Sequence, residues 1–234
     1  MKYIFSDFDG TITWEEKLTP IFFEIIAEVR RLNAELIIVT GRSLSWGHFL
    51  LTHFPFKTCI AEGGGVILHK KGHKVIEELM VTKNEVQDLF SLTRRLLEEN
   101  PDIELAYDSF GRKTDRAIDL HELDDLQNTS VKAQLTKLGA NHSQSNVHIN
   151  FWCGEISKFK AVDHFLKQNN ATPKDGIYFG DSMNDESMFQ HFEHSIGVSN
   201  ISDIIDRLTY KPKVILDGDV NRGPGGVLSY LREL

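Results

Sequence analysis

Tyr3-Ile4-Phe5-Ser6-Asp7-Phe8-Asp9-Gly10-Thr11 is the stretch on which the reading of this chain turns. Tyr3 to Phe5 is a short apolar run of the kind that forms a buried strand. It delivers two carboxylates two positions apart and ends at a glycine. Positions i and i+2 of an extended strand face the same side, so Asp7 and Asp9 share a site if the strand continues through Asp9. Two close carboxylates stay ionised together only where a cation or donors compensate. Mg²⁺, a hard cation that takes oxygen ligands, is the natural compensation. The plainer reading is a strand ending in a polar Asp-Gly turn.

Outward from this stretch the pattern is regular. Thr19-Pro20 is a helix-start signature, and Ile21, Phe22, Ile25, Ile26, Val29 and Leu32 follow at helical spacing. Leu36 to Val39 predicts a second buried strand that ends at Thr40-Gly41-Arg42-Ser43. A helix over 44–52 and a strand at Thr58 to Ala61 come next. Strand and helix in alternation predict a parallel sheet wrapped by helices. Ligands of such sheets sit at the carboxyl ends of the strands. The polar clusters at 7–11, 40–43 and 62–65 all fall there. The pattern resumes with a helix over 158–169 and a strand at Gly176 to Phe179, which runs into Gly180-Asp181-Ser182-Met183-Asn184-Asp185. A short helix, a strand over 194–198, a helix over 201–208, a strand at Lys213 to Leu216 and a helix over 224–233 complete it.

The middle of the chain has another texture. Val66 to Lys70 and Lys74 to Val81 predict a hairpin around Lys71-Gly72, followed by an amphipathic helix from Lys83 to Glu99. Residues 103–107 and 113–118 alternate like strands with one wet face. A helix over 124–138 and a strand over 146–152 follow. This predicts an α/β core at 1–65 and 154–234, with an α+β domain inserted at 66–153.

The 234 residues carry a net charge of −8, which argues against a nucleic-acid partner. No stretch approaches the roughly 20 apolar residues that span a bilayer, so no membrane partner is expected. Cys59 and Cys153 lie in apolar runs without a CxxC partner, and no basic leader precedes the first strand. A soluble cytoplasmic protein is expected. The sequence does not indicate an oligomeric state.

Two carboxylate clusters, Asp7 with Asp9 and Asp181 with Asp185, can hold one Mg²⁺ beside a phosphate. Thr40 and a lysine at the start of the helix at 158, either Lys158 or Lys160, can hold the remaining phosphoryl oxygens. Phosphoryl transfer needs such positioning and charge neutralisation, and a carboxylate can itself attack phosphorus. A small phosphorylated metabolite is the expected partner.

These residues resemble the haloacid dehalogenase-like phosphatases. Asp7-Phe-Asp-Gly-Thr11 is similar to their DxDGT motif, Thr40-Gly-Arg42 to the second motif, Lys158 to the third, and Gly180-Asp-Ser-Met-Asn-Asp185 to the GDxxND form of the fourth. The resemblance spans the core, and the insertion looks like the large α/β cap of the Cof-type, sugar-phosphatase branch. That branch includes trehalose-, sucrose- and mannosyl-3-phosphoglycerate phosphatases and phosphomannomutase. It implies a Rossmann-like core, with Asp7 as nucleophile and Asp9 as general acid and base. It implies Mg²⁺ held by Asp7, the Asp9 carbonyl and Asp181, with Asp185 and Asn184 ordering that shell and Asp185 a possible ligand through water. Thr40 and Lys158 would bind the phosphoryl group, and Gly41 and Arg42 would contact substrate. On the cap, Lys113 and Asp115 share one predicted face, as do His148 and Asn150, so Lys113 and His148 are expected to read the substrate. Two departures stand out: Phe159 replaces the glycine of the usual KGxAL motif, leaving Lys160 as a rival to Lys158, and Glu62-Gly-Gly-Gly65 replaces the usual ENGA. A phosphomonoesterase acting on a sugar phosphate is the expected activity. A phosphosugar mutase, or a silent binding protein on the same fold, would carry the same core.

Overall fold

The computed structural model describes residues 1–145 and 147–234. Its strands and helices, in chain order, are β1 (Tyr3–Ser6), α1 (Ile21–Arg31), β2 (Glu35–Val39), α2 (Leu44–His53), β3 (Thr58–Ala61), β4 (Val66–Lys71), β5 (Lys74–Leu79), α3 (Lys83–Glu99), β6 (Arg116–Asp119), α4 (Asp125–Lys137), β7 (Asn141–Gln144), β8 (His148–Trp152), α5 (Lys158–Gln168), β9 (Gly176–Gly180), α6 (Glu186–His191), β10 (Ser195–Gly197), β11 (Val214–Ile215) and α7 (Pro224–Glu233).

Eight strands form the main sheet in the order β11-β10-β9-β1-β2-β3-β4-β5. The first six in that order run parallel, and β4 and β5 close one edge antiparallel. Alternation along each strand feeds two apolar layers. Ile4, Leu36, Ile38, Cys59 and Phe179 pack with α1 and α7 on one face. Tyr3, Phe5, Ile37, Val39, Ile60 and Tyr178 pack with α5 and α6 on the other. The sheet is thus buried on both sides, as a parallel sheet requires.

The hairpin at 66–79, expected to open the inserted domain, extends the main sheet instead. Val66 and Leu68 join one core layer and Ile67 the other, so this run is buried on both faces. Beyond it, β6, β8 and β7 form a separate three-stranded antiparallel sheet. Its Ile118, Ile149 and Phe151 enclose a third apolar cluster with leucines of α3 and α4. Helix α3 begins at a capping box in which Glu85 N–H donates to the Thr82 hydroxyl and Thr82 N–H donates to the Glu85 carboxylate.

Three further expectations need correction. Residues 103–106 make no ladder: Ala106 N–H donates to Ala117 O, and the chain then turns through a 3₁₀ segment at Tyr107–Gly111. The expected strand at 113–118 forms only from Arg116. The helix expected over 201–208 is two 3₁₀ turns, Ser199–Asp203 and Ile205–Arg207, broken where Ile204 takes φ −127°. The strand expected over 146–152 is seen as β8, and residue 146 lies outside the described residues.

Candidate active site

The carboxyl ends of β1, β2 and β9 converge on one acidic pocket. Register places Ser6 beside Ile38 and Phe179, so the residues that follow each strand meet. Strand β1 ends at Ser6, and Asp7 is held on by its N–H donating to Phe179 O at 2.9 Å. Asp7, Asp181 and Asp185 each offer a carboxylate oxygen within 4.8 Å of the others, and all three are buried. Lys158 Nζ, itself buried, donates to Asp7 at 2.7 Å and to Asp185 at 2.6 Å. It sits at the first turn of α5, behind the Ser157 cap. Lys160 points outward and pairs with Glu155 at 2.9 Å.

Asp185 is saturated with donors. Its Oδ2 accepts from the N–H groups of Asp181 and Ser182 at 3.0 Å each and from the Ser182 hydroxyl at 3.4 Å. Its Oδ1 accepts from Lys158 and from the Tyr178 hydroxyl. The carboxylate therefore orients the β9 loop and the lysine. The Thr11 hydroxyl donates to Asp181 at 2.9 Å, and Asn200 Nδ2 donates to it at 2.8 Å.

Asp9 stands apart from this cluster. The strand has ended, so the i, i+2 rule no longer holds, and its carboxylate accepts from Arg42 Nε and Nη2 at 2.8 Å each. Arg42 also lies over the Trp46 ring, 5.2 Å from its centroid. Thr40 is buried, and its hydroxyl accepts from Arg42 N–H at 3.0 Å.

Charge in the pocket is unbalanced. Four carboxylates (Asp7, Asp9, Asp181 and Asp185) face two cations, Lys158 and Arg42, a surplus of two negative charges. Burial pushes the Asp7 carboxyl up to about 7, with Asp185 adding repulsion and Lys158 opposing both. Burial acts against the Lys158 charge, but Asp185 and Asp7 outweigh it and hold the ammonium above its ordinary range. Asp7, Asp181 and Asp185 could together hold a divalent cation here.

Three residues that sequence reasoning did not assign build the surroundings. Glu62, buried and at φ 53°, accepts from the N–H groups of Leu44, Lys113 and Thr114 and from the Thr114 hydroxyl. It thereby ties the N-terminus of α2 to the loop before β6. Gly64 beside it has φ 104°, and a Cβ there would lie 2.2 Å from Ser157 O, so only glycine lets this loop touch the start of α5. Arg112 is buried, and its guanidinium donates to Asp108, to Asp115 and to Gly41 O at 3.0 Å. Burial pushes the Asp115 carboxyl up to about 7 against the opposing pull of Arg112. Glu62 had one sequence mark, its place at a strand end; Arg112 had none, since a charged residue after Ser-Phe-Gly reads as solvated.

Neither Lys113 nor His148 lines the cleft over the pocket. Lys113 precedes β6, so strand alternation does not apply, and its ammonium is half exposed and paired with Glu77. His148 does lie on the expected face of β8, but its Nε2 bonds Asp119 at 2.8 Å. A cleft of about 210 Å³ over the pocket is instead lined by Gly41, Asp115, Asn150 and Trp152 together with Lys158 and Asn184.

This geometry is that of a phosphoryl-handling hydrolase. The chain belongs to the haloacid dehalogenase-like hydrolases, whose family model matches residues 4–105 and 113–211. It is 30% identical over 209 residues to the phosphoglycolate phosphatase of Nitrosopumilus maritimus (strain SCM1), covering 84% of this chain and 83% of that one. The fold is similar to a Thermoplasma acidophilum protein (TM-score 0.76, 14% identity, 100% and 99% of the two chains). It is also similar to the sucrose-phosphatase of Synechocystis sp. PCC6803 (TM-score 0.73, 14% identity, 99% and 97%). A putative HAD/COF-like hydrolase from Plasmodium vivax gives a TM-score of 0.77 at 19% identity, over 100% and 94%. The protein is a phosphatase.

The placement of the two lysines leads to one expected result. An ammonium aimed at phosphoryl oxygens in a dry site is worth roughly 10²–10³ in rate. Lys158→Ala should lose that much kcat while keeping its circular dichroism spectrum, and Lys160→Ala should stay within about twofold. The reverse ranking in steady-state assays would reject the assignment.

Proposed function

We propose that this protein is a Mg²⁺-dependent phosphomonoesterase that hydrolyses a small phosphorylated metabolite, a sugar phosphate, through an aspartyl-phosphate. The observation that carries the proposal is the Lys158 bridge between Asp7 and Asp185 beside Asp181. Asp7 and Asp181, with the Asp9 main-chain carbonyl, would hold the metal, and Asp185 would order them. When bound, the ion neutralises the phosphoryl oxygens and the carboxylate surplus.

In the first half-reaction an Asp7 oxygen attacks phosphorus, the ester P–O bond breaks, and Asp9 gives its proton to the leaving oxygen. In the second, Asp9 takes a proton from water as the water oxygen attacks phosphorus. The Asp7–phosphorus bond breaks, and inorganic phosphate leaves. Arg42 fixes the Asp9 carboxylate through two hydrogen bonds. Thr40 and the Gly41 backbone border the phosphoryl site together with Lys158. The two cysteines are free thiols, which suits the reducing cytoplasm we assign to the protein.

Release of inorganic phosphate from sugar phosphates should require added Mg²⁺, vanish in excess EDTA and return when Mg²⁺ is restored. Undiminished release in EDTA would exclude the metal, and an isomerised phosphosugar without free phosphate would indicate a mutase.

A further inference from the structure

Neutral donors hold Asp181 at both of its oxygens. The Thr11 hydroxyl donates to Oδ1 at 2.9 Å, and Asn200 Nδ2 donates to Oδ2 at 2.8 Å. Asn200 belongs to none of the four motifs that mark the site in the sequence. It reaches Asp181 because β10 pairs with β9 in parallel, with Gly197 beside Gly180, and Val198 N–H continues that pairing to Gly180 O at 3.2 Å. The segments that follow the two strands therefore leave the sheet together. The 3₁₀ turn that opens at Ser199 then sets Asn200 beside the Asp181 carboxylate.

The remaining bonds of Asn200 reach two further segments. Its Nδ2 also donates to Gly10 O at 3.1 Å, in the loop that carries Asp7 and Asp9. Its Oδ1 accepts from Gly223 N–H at 2.9 Å, at the N-terminus of α7. A backbone N–H can donate only to the amide oxygen, so this bond fixes which way the Asn200 amide faces. Its nitrogen is left for two acceptors, Asp181 and Gly10 O. Gly223 is itself pressed against the same loop: its φ is 48°, and a Cβ there would lie 2.8 Å from the Trp14 ring and 3.3 Å from Gly10 O. Beyond it, Val227, Leu228 and Leu231 anchor α7 in the apolar layer shared with Ile4 and Phe179.

One amide thus joins the loop after β1, the loop after β9 and the start of the last helix. Asp181 and the Asp9 carbonyl are the groups proposed to hold Mg²⁺ from those two loops, and the Asn200 nitrogen spans between them. Outer groups of this kind orient a ligating carboxylate, and an amide does so without cancelling the charge the ion needs.

We infer that Asn200 is a positioning residue that couples Mg²⁺ binding to the docking of α7. This rests on the metal-dependent phosphatase reading above. Such coupling is reciprocal. An ion that tightens the Asn200 bonds slows the opening of the helix start, and a helix start that loosens weakens the ion.

The test uses the full chain without substrate, by titration calorimetry with Mg²⁺ and by amide hydrogen exchange with and without it. Saturating Mg²⁺ should slow exchange over residues 221–227 of the wild type by about tenfold, within the usual range of coupling between sites. Asn200→Ala should weaken Mg²⁺ binding roughly 10–100-fold and abolish that protection. Ser199→Ala is the comparison: its hydroxyl ties the same segment to Gly218 O at 2.8 Å, and its loss should leave Mg²⁺ affinity within about twofold. Wild-type affinity in Asn200→Ala overturns the inference, and so does an equal weakening in both variants, which would mean a merely structural role. Should Asn200→Ala fail to fold, the wild type decides: exchange over 221–227 that ignores Mg²⁺ overturns the coupling. A wild type that binds no Mg²⁺ and releases phosphate in EDTA overturns the metal reading as well.

Discussion

Asp7→Asn is expected to have no measurable turnover and to carry no phosphoryl group after incubation with substrate. The exchange keeps the shape of a buried side chain and removes one charge from a pocket that already has a surplus, so the fold should survive. What it removes is the attacking oxygen, and loss of an enzyme nucleophile costs on the order of 10⁶-fold in rate. Lys158 keeps its second partner, Asp185, at 2.6 Å, so the ammonium stays in place and the loss is chemical. The measurement is phosphate release at high enzyme concentration, with circular dichroism to verify the fold. Wild-type turnover in Asp7→Asn would eliminate the covalent route.

The second expectation is that Asp9→Asn is slow and accumulates an intermediate. General acid–base assistance is worth about 10²–10⁴-fold, so turnover should fall by that amount. With an activated ester such as p-nitrophenyl phosphate the leaving oxygen needs no proton, and the first step proceeds. The second step lacks its base, and the aspartyl-phosphate should build up. Mass spectrometry of the quenched variant should find the phosphoryl adduct on Asp7. An adduct on another residue would move the nucleophile elsewhere. Because Asp9 is anchored by Arg42 at 2.8 Å and lies outside the acidic cluster, the variant should retain the arrangement of Asp7, Asp181 and Asp185.

How far the fold was legible depended on the strength of local patterns. Helix α3 was read at its true limits because a leucine stripe marks its apolar face and Pro101 lies just beyond its end. Strand β7 was missed because Asn141-His-Ser-Gln144 is polar throughout and has no alternation to detect. Residues 103–107 do alternate, yet beyond the single Ala106–Ala117 bond no strand among the described residues pairs with them, and one bond makes no ladder. The hairpin at 66–79 was read correctly as two strands and attached to the wrong unit, since antiparallel geometry is as usual at the edge of a mixed sheet as in a separate one. For the site, Asp7 and Asp181 could be placed together because strand ends in a parallel sheet converge, whereas Lys158, in the first turn of α5, was marked by its resemblance to the third motif with Lys160 as rival. Glu62 and Arg112 were not assigned, because their roles come from contacts between the loops of the main sheet and the segment before β6, which no spacing in the sequence encodes.

The loop at Glu62–Gly65 has a topological consequence. Met80 N–H donates to Gly65 O at 2.9 Å, and the Gly64 position abuts Ser157 O. The chain therefore leaves the main sheet and re-enters it at the same point. A detour whose ends are pinned together adds closure entropy only as the logarithm of its length. Closure therefore adds little cost to a change of length between Met80 and Ser157, provided Arg112, Lys113 and Thr114, which satisfy Gly41 O and the buried Glu62, are kept. Asp7 and Lys158 would not notice, since neither lies on the detour. The junction is a graft site, and leaving-group preference can diverge there while the hydrolytic machinery is inherited unchanged.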